Sequence, residues 1–182
     1  ALSSILGVYP ASAVSRSWSG GGAGGAWSDK NNWSPSDNIP LAGDAVVIDS
    51  AAAVVISNSS ALLSSLTITN ATLTFLKWTT TLNATNVTIQ SGGIFTLPAP
   101  FATNQMSNRV YVVCSNLTID PGGMIDTDGK GYLADNGPGA GMDVNHSGWG
   151  GGAGHGGKGG SGGAGNLTAA GTAYDSLTQP FL

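Results

Sequence analysis

The chain has 182 residues, a net charge of −4 and only 9% charged residues, where ordinary soluble domains carry roughly 25%. All ten acids are Asp, and the six cations are scattered at Arg16, Lys30, Lys77, Arg109, Lys130 and Lys158. That excludes a basic surface able to track nucleic-acid phosphates, and no apolar run reaches the roughly 18 residues of a membrane-spanning helix.

Residues 1–17 read as an N-terminal arm, either extended or a strand. Ala11-Ser12-Ala13 within it is an Ala-x-Ala-like processing pattern, and the chain reads as secreted. Residues 18–44 hold Trp18, Trp27 and Trp33 among glycines and polar turns. They predict a Trp-rich cap whose rings cover the open end of a core. Gly43-Asp44 reads as a turn leading into the first core strand.

Residues 45–127 predict the core. Leu66-Thr67-Ile68, Val87-Thr88-Ile89 and Leu117-Thr118-Ile119 are each followed by a polar or Gly-rich corner and another apolar residue. The intervals are 21 and then 30 residues, so the repeat reads as the coil of a short parallel β-helix, a β-solenoid. No copy can bury its apolar side alone, and the coils must stack. Strands are expected at 45–48, 53–56, 65–68, 72–76, 86–89, 94–97, 109–113, 116–119 and 124–126. Strand alternation puts Leu66, Val87 and Leu117 in one inner ladder and Ile68, Ile89 and Ile119 in another. Thr67, Thr88 and Thr118 form the outer ladder. The longer interval reads as a loop carrying Pro98 to Asn104.

Residues 128–182 form a Gly-rich segment and a C-terminal tail. The glycines fit either a flexible linker or backbone packed closely in Gly-rich loops. Trp149 inside the run favours order. Cys114 is the lone cysteine; it allows no intramolecular disulfide and reads as a small buried hydrophobe.

Trp18-Ser19-Gly20, Asn32-Trp33, Pro40-Leu41-Ala42-Gly43-Asp44 and Val46-Val47-Ile48 resemble the opening of secreted right-handed parallel β-helix proteins of the pectin-lyase-like superfamily. Surface and adhesin-type members, with their Gly-rich stretches, are the nearest in kind. The resemblance implies the fold; it says little of function, because that fold hosts enzymes, adhesins and inert fibres alike.

Asn-x-Ser/Thr occurs at Asn32, Asn58, Asn70, Asn83, Asn86, Asn116, Asn145 and Asn166, against about three expected by chance. These are glycosylation candidates, and attached sugar would keep so uncharged a surface soluble. Asp126, Asp128 and Asp135 are a weak Ca²⁺ candidate in which Lys130 interrupts the EF-hand pattern; no other cofactor is expected. The resemblance to pectin-degrading β-helices points to Asp126, Asp128, Gly154-His155-Gly156 and Lys158. There is no adjacent Asp pair, and the arginines that would hold uronates are only Arg16 and Arg109. The chain is not expected to be an enzyme, and outward Thr rows are too irregular for an ice-binding face.

The expected function is therefore an extracellular, cell-surface structural protein that assembles with itself, as a subunit of a filament, sheath or appendage. The arm from Leu2 to Val14 is its expected means of strand addition. An adhesin or wall-glycan-binding module is the alternative, with Trp18, Trp27, Trp33 or Trp149 as assembly or sugar contacts. A polysaccharide lyase or hydrolase fragment is the second.

Overall fold

The computed structural model describes residues 13–49, 51–102, 106–133, 136–143, 152, 154, 159–160 and 168–172. The chain is all-β. Among the described residues its helical content is a single 3-10 turn, Lys30–Asn32, started by the Asp29 carboxylate accepting the Asn31 N–H.

By its internal contacts the chain divides into residues 1–97 with 108–126, and residues 98–107 with 127–182. The first unit contains β1 (Ser15–Trp18), β2 (Trp33–Ser34), β3 (Ala45–Ile48), β4 (Ala53–Ile56), β5 (Leu63–Ile68), β6 (Ala71–Phe75), β7 (Leu82–Ile89), β8 (Gly93–Thr96), β9 (Val112–Ile119) and β10 (Met124–Asp126). They form a six-stranded sheet ordered β2-β1-β3-β5-β7-β9 and a four-stranded sheet ordered β10-β8-β6-β4. From β3 onward every pairing is parallel and skips one strand, so consecutive strands lie in different sheets. Four tiers result: β3/β4, β5/β6, β7/β8 and β9/β10.

The register runs through the expected ladders. Val46, Leu66, Val87 and Leu117 are in line, as are Ile48, Ile68, Ile89 and Ile119. In the four-stranded sheet Val54, Leu73, Phe95 and Ile125 are in line. Val47, Thr67, Thr88 and Thr118 make the alternate row. The apolar positions are buried through the third tier, where Val87, Ile89 and Phe95 are at most 1% exposed. Phe75 and Phe95 meet edge to face within that core.

The corners between sheets explain the repeated Asn and Gly. Ala51, Asn70, Gly92 and Gly122 all have positive φ and stack, Ala51 N–H donating to Asn70 O and Gly92 N–H to Gly122 O. Gly and Asn take this left-handed bend at least cost.

Four sequence expectations change. The boundary between arm and cap at residue 17 falls inside β1, which pairs in parallel with β3; the arm from Ser15 on is built into the sheet, and residues 1–12 lie outside the described residues. In place of the expected runs 109–113 and 116–119 there is one strand, β9, from Val112 to Ile119, with 109–111 outside it, and β5 and β7 begin earlier than expected. Leu117 and Ile119 are not buried but 46% and 45% exposed, because among the described residues no strand follows β9 in its sheet. Cys114, paired with buried Ala84, is half-buried for the same reason.

In the second unit, β11 (Met142–Asp143) pairs antiparallel with β12 (Thr168–Ala169). Phe101 bridges to Tyr132, with ring centroids 5.8 Å apart. The described glycines pack backbone on backbone: Gly154 N–H donates to Gly139 O and Gly171 N–H to Gly152 O. A Cβ at Gly171 would collide with Gly139 O. At these positions the ordered reading applies, not that of a flexible linker.

Candidate functional site

Of the three tryptophans of residues 18–44, Trp27 and Trp33 are core residues. Trp33 is 1% and Trp27 5% exposed. Trp33 stands edge-on to Trp27 at 4.8 Å and to half-buried Trp18 at 5.0 Å, and its Nε1–H donates to Trp27 O. As sugar-stacking platforms Trp27 and Trp33 are corrected: their faces are used inside the protein. Trp149 lies outside the described residues.

These rings sit where the near edges of both sheets are covered. β2 adds antiparallel to β1, while Trp27 N–H donates to Val55 O and Val55 N–H to Gly25 O, closing the edge of β4. Gly25 is required there, because a Cβ would overlap Ala53 O.

Beneath this cover lies an ion cluster the sequence reading missed. Arg16, 2% exposed, donates from Nε to Asp44 Oδ2 at 2.6 Å and from Nη1 to Asp37 Oδ1 at 2.7 Å. Its Nη1 also reaches Pro35 O, after a cis Ser34–Pro35 bond, and Asn38 O. Asp44 accepts the N–H of Val14 and of Leu41 as well. Burial disfavours the Asp44 carboxylate, but the Leu41 and Val14 N–H groups and Arg16 outweigh it and hold its carboxyl below the ordinary value. Exposed Asp37 is also held low, chiefly by its hydrogen bond to Arg16, and Arg16 is raised, chiefly by Asp37. The Gly-Asp pair read as a turn is thus a clasp for β1. Its only sequence signal was a carboxylate just before an apolar strand in a chain short of charge.

Among the glycosylation candidates, Asn32 is corrected. It is fully buried, with its Oδ1 accepting from Gly22 N–H and its Nδ2 donating to Gly24 O and Ala26 O; no glycan fits on it in this fold. Asn83 spends its Nδ2 on Ser60 O. Asn58, Asn70, Asn86 and Asn116 are exposed. Asn86 Nδ2 donates to Ser64 O, and Asn116 Nδ2 to Asn86 Oδ1. Asn58 borders a shallow recess with Trp27, Ile39 and Pro40. Asn145 and Asn166 lie outside the described residues.

Asp126 ends β10, and Asp128 is exposed at a turn closed by Lys130 N–H donating to Thr127 O. Asp135, His155, Gly156 and Lys158 lie outside the described residues; Gly154 is buried. Among the described residues no three His, Cys, Asp or Glu side chains gather as metal ligands.

Four residues left scattered by the sequence do come together. The Arg109 guanidinium lies 4.8 Å from the Trp78 ring and 4.1 Å from the Tyr111 ring, and its Nε–H donates to Trp78 O. Lys77 precedes Trp78 and is exposed, with its N–H donating to Asn108 Oδ1. Only the register of β7 on β9 brings these positions together, 31 residues apart.

An all-β chain of parallel tiers with one end closed by aromatic rings is thereby defined. Residues 29–123 match the G8 domain, and the chain belongs to the G8 domain family. G8 domains are typical of extracellular and secreted proteins. No curated protein and no solved structure matches the chain. None of the helices among the described residues is long and apolar enough to cross a membrane.

Proposed function

We propose that the chain is an extracellular structural domain, a short parallel β-solenoid that assembles with itself at the cell surface through its far end. The observation that carries this reading is the ladder end. Leu117, Ile119 and Ile125 continue three buried ladders, yet they are 46%, 45% and 41% exposed. The outer edges of β9 and β10 carry no further strand among the described residues. An apolar row beside an unpaired strand edge favours strand addition.

With the near end closed, like meets like, and far-end pairing alone gives a two-fold pair and not a fibre. A filament, sheath or appendage needs a second contact, which residues 1–12 would supply by pairing with a neighbour. Electron microscopy and sedimentation of the native protein test both. The expected result is pairs or filaments that revert to monomers when Leu117→Lys and Ile119→Lys are combined. Deleting residues 1–12 should leave pairs only. Assembly unchanged by the double substitution sinks the reading.

The glycan-binding alternative has separate support from Arg109, stacked between aromatic rings on the surface of the same unit.

A further inference from the structure

We propose that Lys77, Trp78, Arg109 and Tyr111 form a binding site for an acidic sugar residue of a polysaccharide, one bearing a carboxylate or a sulfate ester. The inference rests on the glycan-binding reading and not on self-assembly.

The charge is the first argument. The chain is net negative, yet the segments 76–80 and 106–113 contain a Lys and an Arg and no acid. Arg16, the other described arginine, is neutralised by Asp37 and Asp44. Arg109 makes no ion pair among the described residues, where both ion pairs belong to Arg16. Among the described residues it faces the Trp78 and Tyr111 rings and the Trp78 carbonyl oxygen.

Geometry is the second. The Nε–H of Arg109 is spent on Trp78 O at 2.8 Å, which fixes the plane of the fork. No described residue takes a hydrogen bond from the two Nη amino groups, which are an end-on pair of parallel donors, the arrangement that takes a carboxylate or sulfate by two hydrogen bonds. Half-buried Trp78 and 39%-exposed Tyr111 flank it, each with one face toward the guanidinium, and the part of each ring left exposed is the apolar surface for the C–H face of a sugar.

The third is that the site is built. Lys77 has φ of 77°, a left-handed conformation unfavourable for a residue with a side chain. It is held there by the 2.7 Å hydrogen bond to Asn108, which is 8% exposed, and by Thr80, 1% exposed, whose Oγ1 donates to Leu76 O. A strained turn kept by buried polar groups, beside a cation with no ion pair among the described residues, points to a functional position.

The test uses the full chain with four probes: tetragalacturonate, a κ-carrageenan tetrasaccharide, neutral cellotetraose and a poly-aspartate peptide. Tryptophan fluorescence and calorimetry read binding. One acidic oligosaccharide should bind at least about tenfold tighter than cellotetraose, and which one it is separates carboxylate from sulfate. Arg109→Gln should weaken that binding at least about tenfold, the scale of one charge-assisted hydrogen bond. Arg109→Lys should restore part of it. Lys77→Gly, which suits the left-handed turn and so preserves the fold, should weaken it a few-fold, and added salt should weaken it further. Equal binding of acidic and neutral sugars, unaffected by Arg109→Gln, overturns the acidic-sugar site but leaves the glycan-binding reading. Binding of no oligosaccharide overturns both, and poly-aspartate binding as tightly as the better sugar overturns the sugar assignment.

Discussion

The two ends of the first unit are made from the same tiers and finished in opposite ways. At the near end β1, backed by the two-residue β2, and the Gly25–Trp27 segment cover the edges of β3 and β4, and Trp27, Trp33 and the Arg16–Asp44 pair fill the space behind them. At the far end the ladders stop at Leu117, Ile119 and Ile125 with nothing added among the described residues. Stacking therefore sets the tiers, but it does not finish them. Closure needs residues that break the repeat.

The largest effects should come from breaking the near end. Asp44→Ala leaves Arg16 buried with only an exposed carboxylate and orphans the N–H groups of Val14 and Leu41. It should cost about 3–5 kcal/mol in denaturant unfolding. Trp33→Ala, which empties the centre of the ring cluster, should cost a similar ~3–5 kcal/mol. A comparison within one ladder is sharper. Leu66→Ala should cost about 2–5 kcal/mol, whereas Leu117→Ala in the same row should cost about 1 kcal/mol or less in the monomer. If the far end is covered by a second copy, the Leu117→Ala penalty grows with protein concentration.

The pH response follows the clasp. Asp44 titrates below the ordinary carboxylate value of about 3.9, so on acidification the unfolded chain takes up the proton first. Its contribution is complete above that value and is lost as pH falls through the lower folded value. Acid unfolding monitored by tryptophan fluorescence should therefore be flatter in Asp44→Asn than in the parent between about pH 5 and pH 2. The smallest effect should be that of Asp37→Asn, since Asp37 is 69% exposed and Asp44 keeps Arg16 paired.

The tiers were legible because they repeat. Leu66, Val87 and Leu117 share a pattern, and the register puts them in one line. The finishing was not legible. Trp27 and Trp33 look the same in sequence whether they face sugar or each other, and only the edge of β4 decides it. Asn32 satisfies a sequon and is nonetheless consumed by three hydrogen bonds to the loop before it. Arg16 and Asp44 are 28 residues apart, and Arg109 and Trp78 are 31 apart. No local period connects such pairs, so their chemistry emerges only once the strands are aligned.

One tier is also longer than the rest. Val46, Leu66, Val87 and Leu117 are spaced 20, 21 and 30 residues apart, yet all are in register. The additional length leaves after β8 and returns before β9 without shifting a single pair. The corner thus takes up additional chain without loss of alignment, and a further insertion there should leave the ladders unchanged. The same corner is where an engineer would graft a foreign peptide for display.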